Sequence, residues 1–348
     1  MTEQELMGNR HDYDVVIVGG GAAGLSAALT LGRVRRSVLV VDSGQPRNAP
    51  AEHMHGFLSR DGMPPGSLLE RGRHEVAAYG VTVVTGAAVS ASGKPDDFTV
   101  VLGDERRVRA RRLLVTTGGV DELPDVEGLA ARWGRDVVHC PYCHGWEVRD
   151  ERIGVLATGP MSVHQALLFR QLSDDVTLLP HTAPAPAGEE AEQLAARGIA
   201  VVPGEVTALE VTADRLTGVR LTTGQVVPVG ALAVASYLRP RAELLAPLGL
   251  KPEPHPSGMG EYIPADANGL TAVPGVWAAG NVTDLSANVI ASTAAGARAG
   301  AMINADLIAA EARAAVSGRR QPFSHEAEAR NAERVLGTRG HGLATRQE

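Results

Sequence analysis

Aromatic side chains are scarce: Phe, Tyr and Trp together make up 3% of the 348 residues. Platforms that stack the bases of single-stranded nucleic acid are built from such rings, so that class is disfavoured. Positive charge is also short, with 33 Lys and Arg against 40 Asp and Glu and a formal net charge of −7. Neutralising a phosphate backbone or lying on an anionic bilayer needs a basic face, and the sequence offers none. No apolar run reaches the length of a membrane span. The opening MTEQELMGNRHD is neither a secretory leader nor an amphipathic transit segment. These absences predict a cytoplasmic protein that acts on small molecules, with no nucleic-acid or membrane partner. Cysteine is limited to two residues, Cys140 and Cys143. A bridge between them would constrain almost none of the unfolded chain, so the pair asks for redox or metal chemistry rather than stapling.

What is present begins with an apolar run, YDVVIV (13–18), followed by Gly19-Gly20-Gly21-Ala22-Ala23-Gly24, a helical stretch LSAALTLGRV, and SVLVVD ending on Asp42. Strand, glycine-rich turn, helix, strand and acid in that order form a dinucleotide-binding βαβ unit. Gly19 permits the tight turn, Gly21 lets backbone approach a pyrophosphate, and Gly24 lets the helix pack closely on the strand. The helix start, with Ala22 and Ala23, then faces the phosphates. Asp42, followed by Ser43, is placed to bind ribose hydroxyls. The loop 43–62 comes next and reads equally as a solvated loop or a cofactor contact; Arg47, Asn48 and His55 are its cofactor candidates.

Beyond it, LLERGRHEVAAYG predicts a helix. A strand and a β-meander containing Val89 follow, then a return strand ending in Thr116-Thr117-Gly118, whose Thr117 and Gly118 backbone would lie beside the cofactor. Residues 120–139 read as a crossover. RIGVLATG, SVHQALLFRQL and DVTLLPH form a second βαβ unit, and IAVVPG, VTALEVTA, LTGVRLTTG and VVPVGALAVAS are expected to complete one small sheet. PGVWAAGNVTD predicts a strand and a polar turn before a long Ala-rich helix. Gly280, Asn281, Val289 and Ile290 are the cofactor candidates there. The polar end is expected to hold one helical piece and a frayed last dozen residues.

Cys140-Pro141-Tyr142-Cys143 is the chemical centre. A disulfide across two residues closes a small ring and accepts electrons readily by thiolate attack. Zinc would need two more ligands, and only His139 and His144 adjoin the pair; two inert buried cysteines are the bland alternative. His144, with an ordinary pKa of about 6.5, reads as an acid/base or as a packing histidine. Trp146 is expected to pack rather than react.

The N-terminal GGGAAG, the late Ala278-Ala279-Gly280-Asn281 turn and the intervening second βαβ unit together resemble the flavoprotein disulfide reductases of the low-molecular-weight thioredoxin reductase group. The resemblance implies an α/β fold of two Rossmann-like dinucleotide-binding domains, the second inserted in the first. Its partition is 1–120 and 244–318 for FAD, 121–243 for the insert with the cysteines, and a polar tail, 319–348. It implies FAD as cofactor and a homodimer. In that group an acid follows the AAG turn; Asn281 replaces it. The group's NADPH-binding turn, of the GGGDSA type, is here Ala157-Thr158-Gly159-Pro160-Met161-Ser162, and no arginine follows the next strand at Leu179-Pro180-His181-Thr182. Poor NADPH binding is therefore expected, since added Cβ atoms hold a pyrophosphate off and Pro160 removes an N–H. Cys140-Pro-Tyr-Cys143-His144-Gly-Trp-Glu147 resembles the dithiol oxidases that close disulfides in gliotoxin-, holomycin- and romidepsin-type natural products. That likeness implies a small-molecule dithiol as substrate, Cys140 as the attacked sulfur, Cys143 on the flavin side, His144 as acid/base and O2 as the acceptor, giving H2O2. A disulfide reductase using NADPH or another donor, and a flavin redox sensor without turnover, are the competing readings.

Overall fold

The computed structural model describes residues 12–320 and 325–336. The expectations for residues 1–11, and for a frayed segment over 337–348, lie outside the described residues. The chain divides into two compact units, 1–301 and 302–348.

The first unit is built on β1 (Asp12–Val18), β2 (Val38–Asp42), β3 (Thr82–Thr85), β4 (Ala88–Lys94), β5 (Asp97–Leu102) and β6 (Arg107–Val115), in the order β3-β2-β1-β6-β5-β4. Val15, Val16 and Ile17 of β1 are fully buried, as an apolar run must be when a parallel sheet is covered on both faces. β1, β2, β3 and β6 are parallel, whereas β4–β5–β6 is an antiparallel meander. β6 is long enough to change partners. Its first half pairs with β5, and Leu113–Val115 pair with a parallel strand, Val276–Ala278. That change brings the Ala279–Gly280 turn alongside Thr116 and Thr117.

Helix α1 (Ala22–Arg33) buries Ala23, Ala27, Ala28 and Leu31 on the sheet, and α2 (Pro65–Ala77) starts on a proline, whose missing N–H costs nothing at a first helical position. The ribbon formed by β7 (Gly119–Glu122) with an antiparallel partner, Tyr237–Pro240, leads to a second sheet. This sheet contains β8 (Val137–Val138), β9 (Ile153–Leu156), β10 (Val176–Leu179), β11 (Ala200–Val201) and a strand at Ala231–Val234. All its pairings are parallel. Helices α3 (Pro141–His144), α4 (Ser162–Phe169) and α5 (Glu189–Ala196) interleave with these strands.

The single small sheet expected over 199–236 is in fact divided. The runs at 200–201 and 231–234 join this parallel sheet, while 206–212, 215–221 and 226–227 form a separate three-stranded antiparallel sheet. Hairpin neighbours pair locally, but the buried run Ala231–Val234 gains more from burial against β9.

Helix α6 (Val289–Arg320) opens against α1: a Cβ at Gly296 would strike the Ala23 backbone, and one at Gly300 would come within 3.0 Å of the Ala27 carbonyl oxygen. The small-residue face therefore packs inside this unit. In the second unit α7 (His325–Leu336) is the helical piece of the polar end. Among the described residues no helix is long and apolar enough to cross a membrane.

Candidate active site

At the carboxyl ends of β1, β2, β6 and the strand Val276–Ala278 the backbone turns around a cavity of about 1200 Å³. Ligands of open α/β sheets sit at such a crevice. Gly19 has φ +109°, and a Cβ there would run into the Thr116 carbonyl, so only glycine serves. Gly24 lies outside the lining; a side chain on it would collide with the Gly19 carbonyl and the Thr116 hydroxyl, which itself donates to Gly19 O at 2.7 Å. It is a packing glycine. Gly21 differs from both: a Cβ on it would meet nothing within 4 Å. It is the N-cap of α1 without a side-chain cap, and it lines the cavity with Ala22 and Ala23. Helix-start amides lack intrahelical partners, so open space at Gly21 fits a pyrophosphate. Asp42 also lines the cavity; its Oδ1 accepts from the Gly44 N–H at 3.3 Å. A dinucleotide fits this cradle on both counts.

The remaining rim candidates behave less uniformly. Ser43, Asn48, His55, Val89, Gly118 and Val289 line the cavity, as does Gly280 at φ +78°. Ile290 does not: it is 41% exposed and outside the lining, because the next position on a helix turns away from the face Val289 occupies. Thr117 lines the cavity while its hydroxyl donates to Arg241 O at 2.6 Å. Arg47 also lines it, yet its guanidinium grips Asp121 at 2.8 and 2.6 Å, and Ser236 Oγ donates to the same carboxylate. Asp121 is largely desolvated, which favours protonation, but Arg47 and then Ser236 outweigh this and hold it below the usual carboxylate range. Asn281 uses its side-chain amide to donate to Asp284 O and Ala287 O, at 3.0 and 2.8 Å. It fixes the loop over the cavity, a role an aspartate's acceptor-only carboxylate would not fill.

Cys140 and Cys143 are joined as a disulfide, their Cα atoms 5.2 Å apart. Pro141 starts α3, and the N–H groups of Cys143 and His144 donate to Cys140 O at 3.2 and 3.1 Å. Both cysteines and His144 line the same cavity as the glycine cradle. His144 Nε2 is buried without a partner. Burial pushes the His144 pKa down; Glu147 opposes this and His55 reinforces it. His55 Nε2 lies 3.3 Å from Glu147 and its Nδ1 3.4 Å from Asp61. Trp146 is not packed as expected: it is 66% exposed, with the Arg149 guanidinium 4.2 Å over its ring. Tyr142 is also exposed. Helix α3 is a single turn and leaves both rings at the surface.

Burial likewise lowers the pKa of His139 and His181 from 6.5. Three histidines that stay neutral when folded bind fewer protons than in the unfolded chain, so stability is full above 6.5 and falls as pH drops below it. Thermal melts between pH 8 and pH 5 should show the midpoint declining only on the acidic side.

At the second, glycine-poor turn two hydroxyls are tied to backbone carbonyls. Thr158 Oγ1 donates to Ala235 O at 2.6 Å and Ser162 Oγ to Gly159 O at 2.7 Å. The segment 255–260 lies over it, with Met259 Sδ 3.6 Å from where a Gly159 Cβ would stand and Pro160 3.6 Å from the corresponding position at Gly258. His181, where an arginine was looked for, accepts the Val206 N–H on Nδ1 at 3.0 Å. The sequence reading missed Asp121, Gln165 and Met259, all of which line the cavity. Asp121 and Met259 lie on segments with no motif of their own, and Gln165 was hidden in a helix read only for its periodicity.

The chain matches the family model described as pyridine nucleotide-disulphide oxidoreductase over residues 13–300. It is 31% identical over 323 residues to the thioredoxin reductase tcpT of Claviceps purpurea, covering 87% of this chain and 97% of that protein. Its backbone is similar to the crystal structure of HlmI, with TM-score 0.83, 44% identity, and 90% and 98% of the two chains covered. It is also similar to an oxidoreductase from Agrobacterium tumefaciens, with TM-score 0.81, 36% identity, and 85% and 99% covered. With a cysteine disulfide and a dinucleotide cradle opening on one cavity, the chain belongs to the pyridine nucleotide-disulphide oxidoreductases and is an enzyme of their thioredoxin reductase-like group.

Proposed function

We propose that the protein is an FAD-dependent oxidase of small-molecule dithiols that closes an intramolecular disulfide. The observation that carries this reading is that the Cys140–Cys143 pair and the Gly21 cradle share one cavity, while the second nucleotide turn carries side chains at Thr158 and Pro160 and commits the Thr158 and Ser162 hydroxyls to backbone carbonyls. The family implies a flavin; the open space at Gly21 and the carboxylate of Asp42 suit FAD. Bound FAD would take the electron pair from the reduced cysteines and pass it to O2, giving H2O2.

A substrate thiolate attacks Cys140: a substrate–Cys140 bond forms, the Cys140–Cys143 bond breaks, and the electron pair leaves on Cys143. The second substrate thiol then attacks its own partner sulfur in the mixed disulfide. The product disulfide forms and Cys140 departs as thiolate. Two electrons have moved to the cysteine pair and two protons have left the substrate. His144, kept neutral by burial, has Nε2 free to take one of them. We place the partition at 1–120 with 244–318 for FAD and 121–243 for the insert, the tail 319–348 lying outside both, and the working assembly as a homodimer.

The test is anaerobic. One equivalent of propane-1,3-dithiol should bleach the flavin, and NADPH should leave its absorbance unchanged; the reverse result would make the enzyme a reductase. In air, steady H2O2 release with the dithiol would exclude a sensor without turnover. Because the pKa of His144 lies below 6.5, the acidic limb of kcat/KM should fall below that pH, where protonation removes the base. His144→Gln should abolish that limb and lower kcat/KM by roughly 10²-fold; an unchanged pH profile would remove His144 from the chemistry.

A further inference from the structure

Helix α4 follows the second turn, and its residues do not all face the sheet. Ala166 and Phe169 are buried in the core of the second sheet, whereas Met161, His164, Gln165 and Leu168 line the cavity that holds the disulfide. Their spacing of three, four and seven residues is that of one helical face. Gln165 is only 8% exposed. Its Nε2 donates to the carbonyl oxygen of His139, the residue preceding Cys140, at 2.9 Å. That bond fixes which end of the amide is which, since an oxygen turned toward that carbonyl would be repelled. The other end, Oε1, is left buried with no partner. A buried carbonyl oxygen without a donor is unfavourable, and because Gln165 lines the cavity an occupant of that cavity can supply one.

We propose that the cavity face of α4 is a substrate subsite, in which Gln165 Oε1 accepts a hydrogen bond from an N–H or O–H on the scaffold carrying the two thiols, while Met161 and Leu168 contact its apolar part. The subsite deepens the dithiol-oxidase reading and rests on it for the identity of the occupant. It selects dithiols with an amide N–H or hydroxyl near the sulfurs. It rejects an otherwise equal scaffold lacking the donor, because Oε1 then stays unpaired.

The experiment compares 2-acetamidopropane-1,3-dithiol with its N-methyl counterpart, reading the rate of anaerobic flavin bleaching in the holoenzyme. The N–H compound is expected to react about tenfold more efficiently, the size of one net hydrogen bond. In Gln165→Met, which keeps the side chain's length but removes the acceptor, that ratio should fall to near one. A wild-type ratio of one, or a tenfold ratio retained in Gln165→Met, overturns the subsite. Should Gln165→Met fail to fold, 2-hydroxy- and 2-methoxypropane-1,3-dithiol on the wild-type protein probe the same bond, and equal rates for that pair overturn it. Steady oxygen uptake with a ratio of one defeats the subsite alone; a tenfold bleaching ratio without oxygen uptake defeats the oxidase reading alone. If no dithiol bleaches the flavin, both fall.

Discussion

Cys143→Ser protein is expected to purify with its flavin and to consume oxygen with propane-1,3-dithiol at about 10⁻⁴ of the wild-type rate or less, in line with loss of a nucleophile that works as part of a unit. Cys140→Ser should fall equally far, because each sulfur acts only through the other: without Cys143 there is no disulfide to attack, and without Cys140 no sulfur to form the mixed disulfide. The double variant should be no worse than either single one. The flavin should remain because the exchanges leave the Gly19–Gly24 cradle unaltered, and its absorbance provides the concentration against which oxygen-electrode rates are normalised. Oxygen uptake within tenfold of wild type in either variant would mean that electrons reach the flavin without passing through this pair.

The second large effect separates two glycines that look alike in the fingerprint. Gly21→Val places its side chain in open space, so the fold should lose about 1 kcal/mol or less through a poorer N-cap. The same side chain occupies the region assigned to the pyrophosphate, and flavin content should drop by at least roughly 10²-fold. Gly19→Val has both faults: φ is +109° and the Cβ meets the Thr116 and Thr117 backbone. Strain and overlap together should cost several kcal/mol, leaving little soluble protein. Flavin absorbance and thermal melts on both variants decide it. A yellow Gly21→Val protein would refute the cradle, and a stable, colourless Gly19→Val protein would refute the assignment of that turn as a packing constraint.

The contrast between these glycines shows what was legible in the sequence and what was not. The first βαβ unit could be read because each requirement is local: an apolar strand, a turn that admits no Cβ, a helix start and an acid follow within thirty residues. The cysteine pair was legible for the same reason, its chemistry being set by two neighbours in the chain. Nothing local announces that Arg47 is held by Asp121, 74 residues away. A basic residue in a loop after the ribose strand reads as a cofactor contact until its partner is seen. The strand at 231–234 failed similarly. An apolar run of four carries no mark of whether it will pair with its hairpin neighbour or with a strand 80 residues earlier, and burial decided for β9. Trp146, expected to pack rather than react, lies at the surface: the tight turn around Gly145, where a Cβ would collide with the Pro141 carbonyl, leaves the ring facing water.

The grip of Arg47 on Asp121 has a consequence for motion. Asp121 stands on β7, in the slender ribbon that carries the second sheet, and Ser236 enters the same contact from the strand side of that ribbon's other half. Any swivel of the cysteine-bearing sheet about the ribbon must first pull a partly buried carboxylate from a two-pronged guanidinium. Separating a pair this enclosed leaves a desolvated charge unpaired, which disfavours the swung-out arrangement. The pair thus biases the disulfide toward its station beside the cradle.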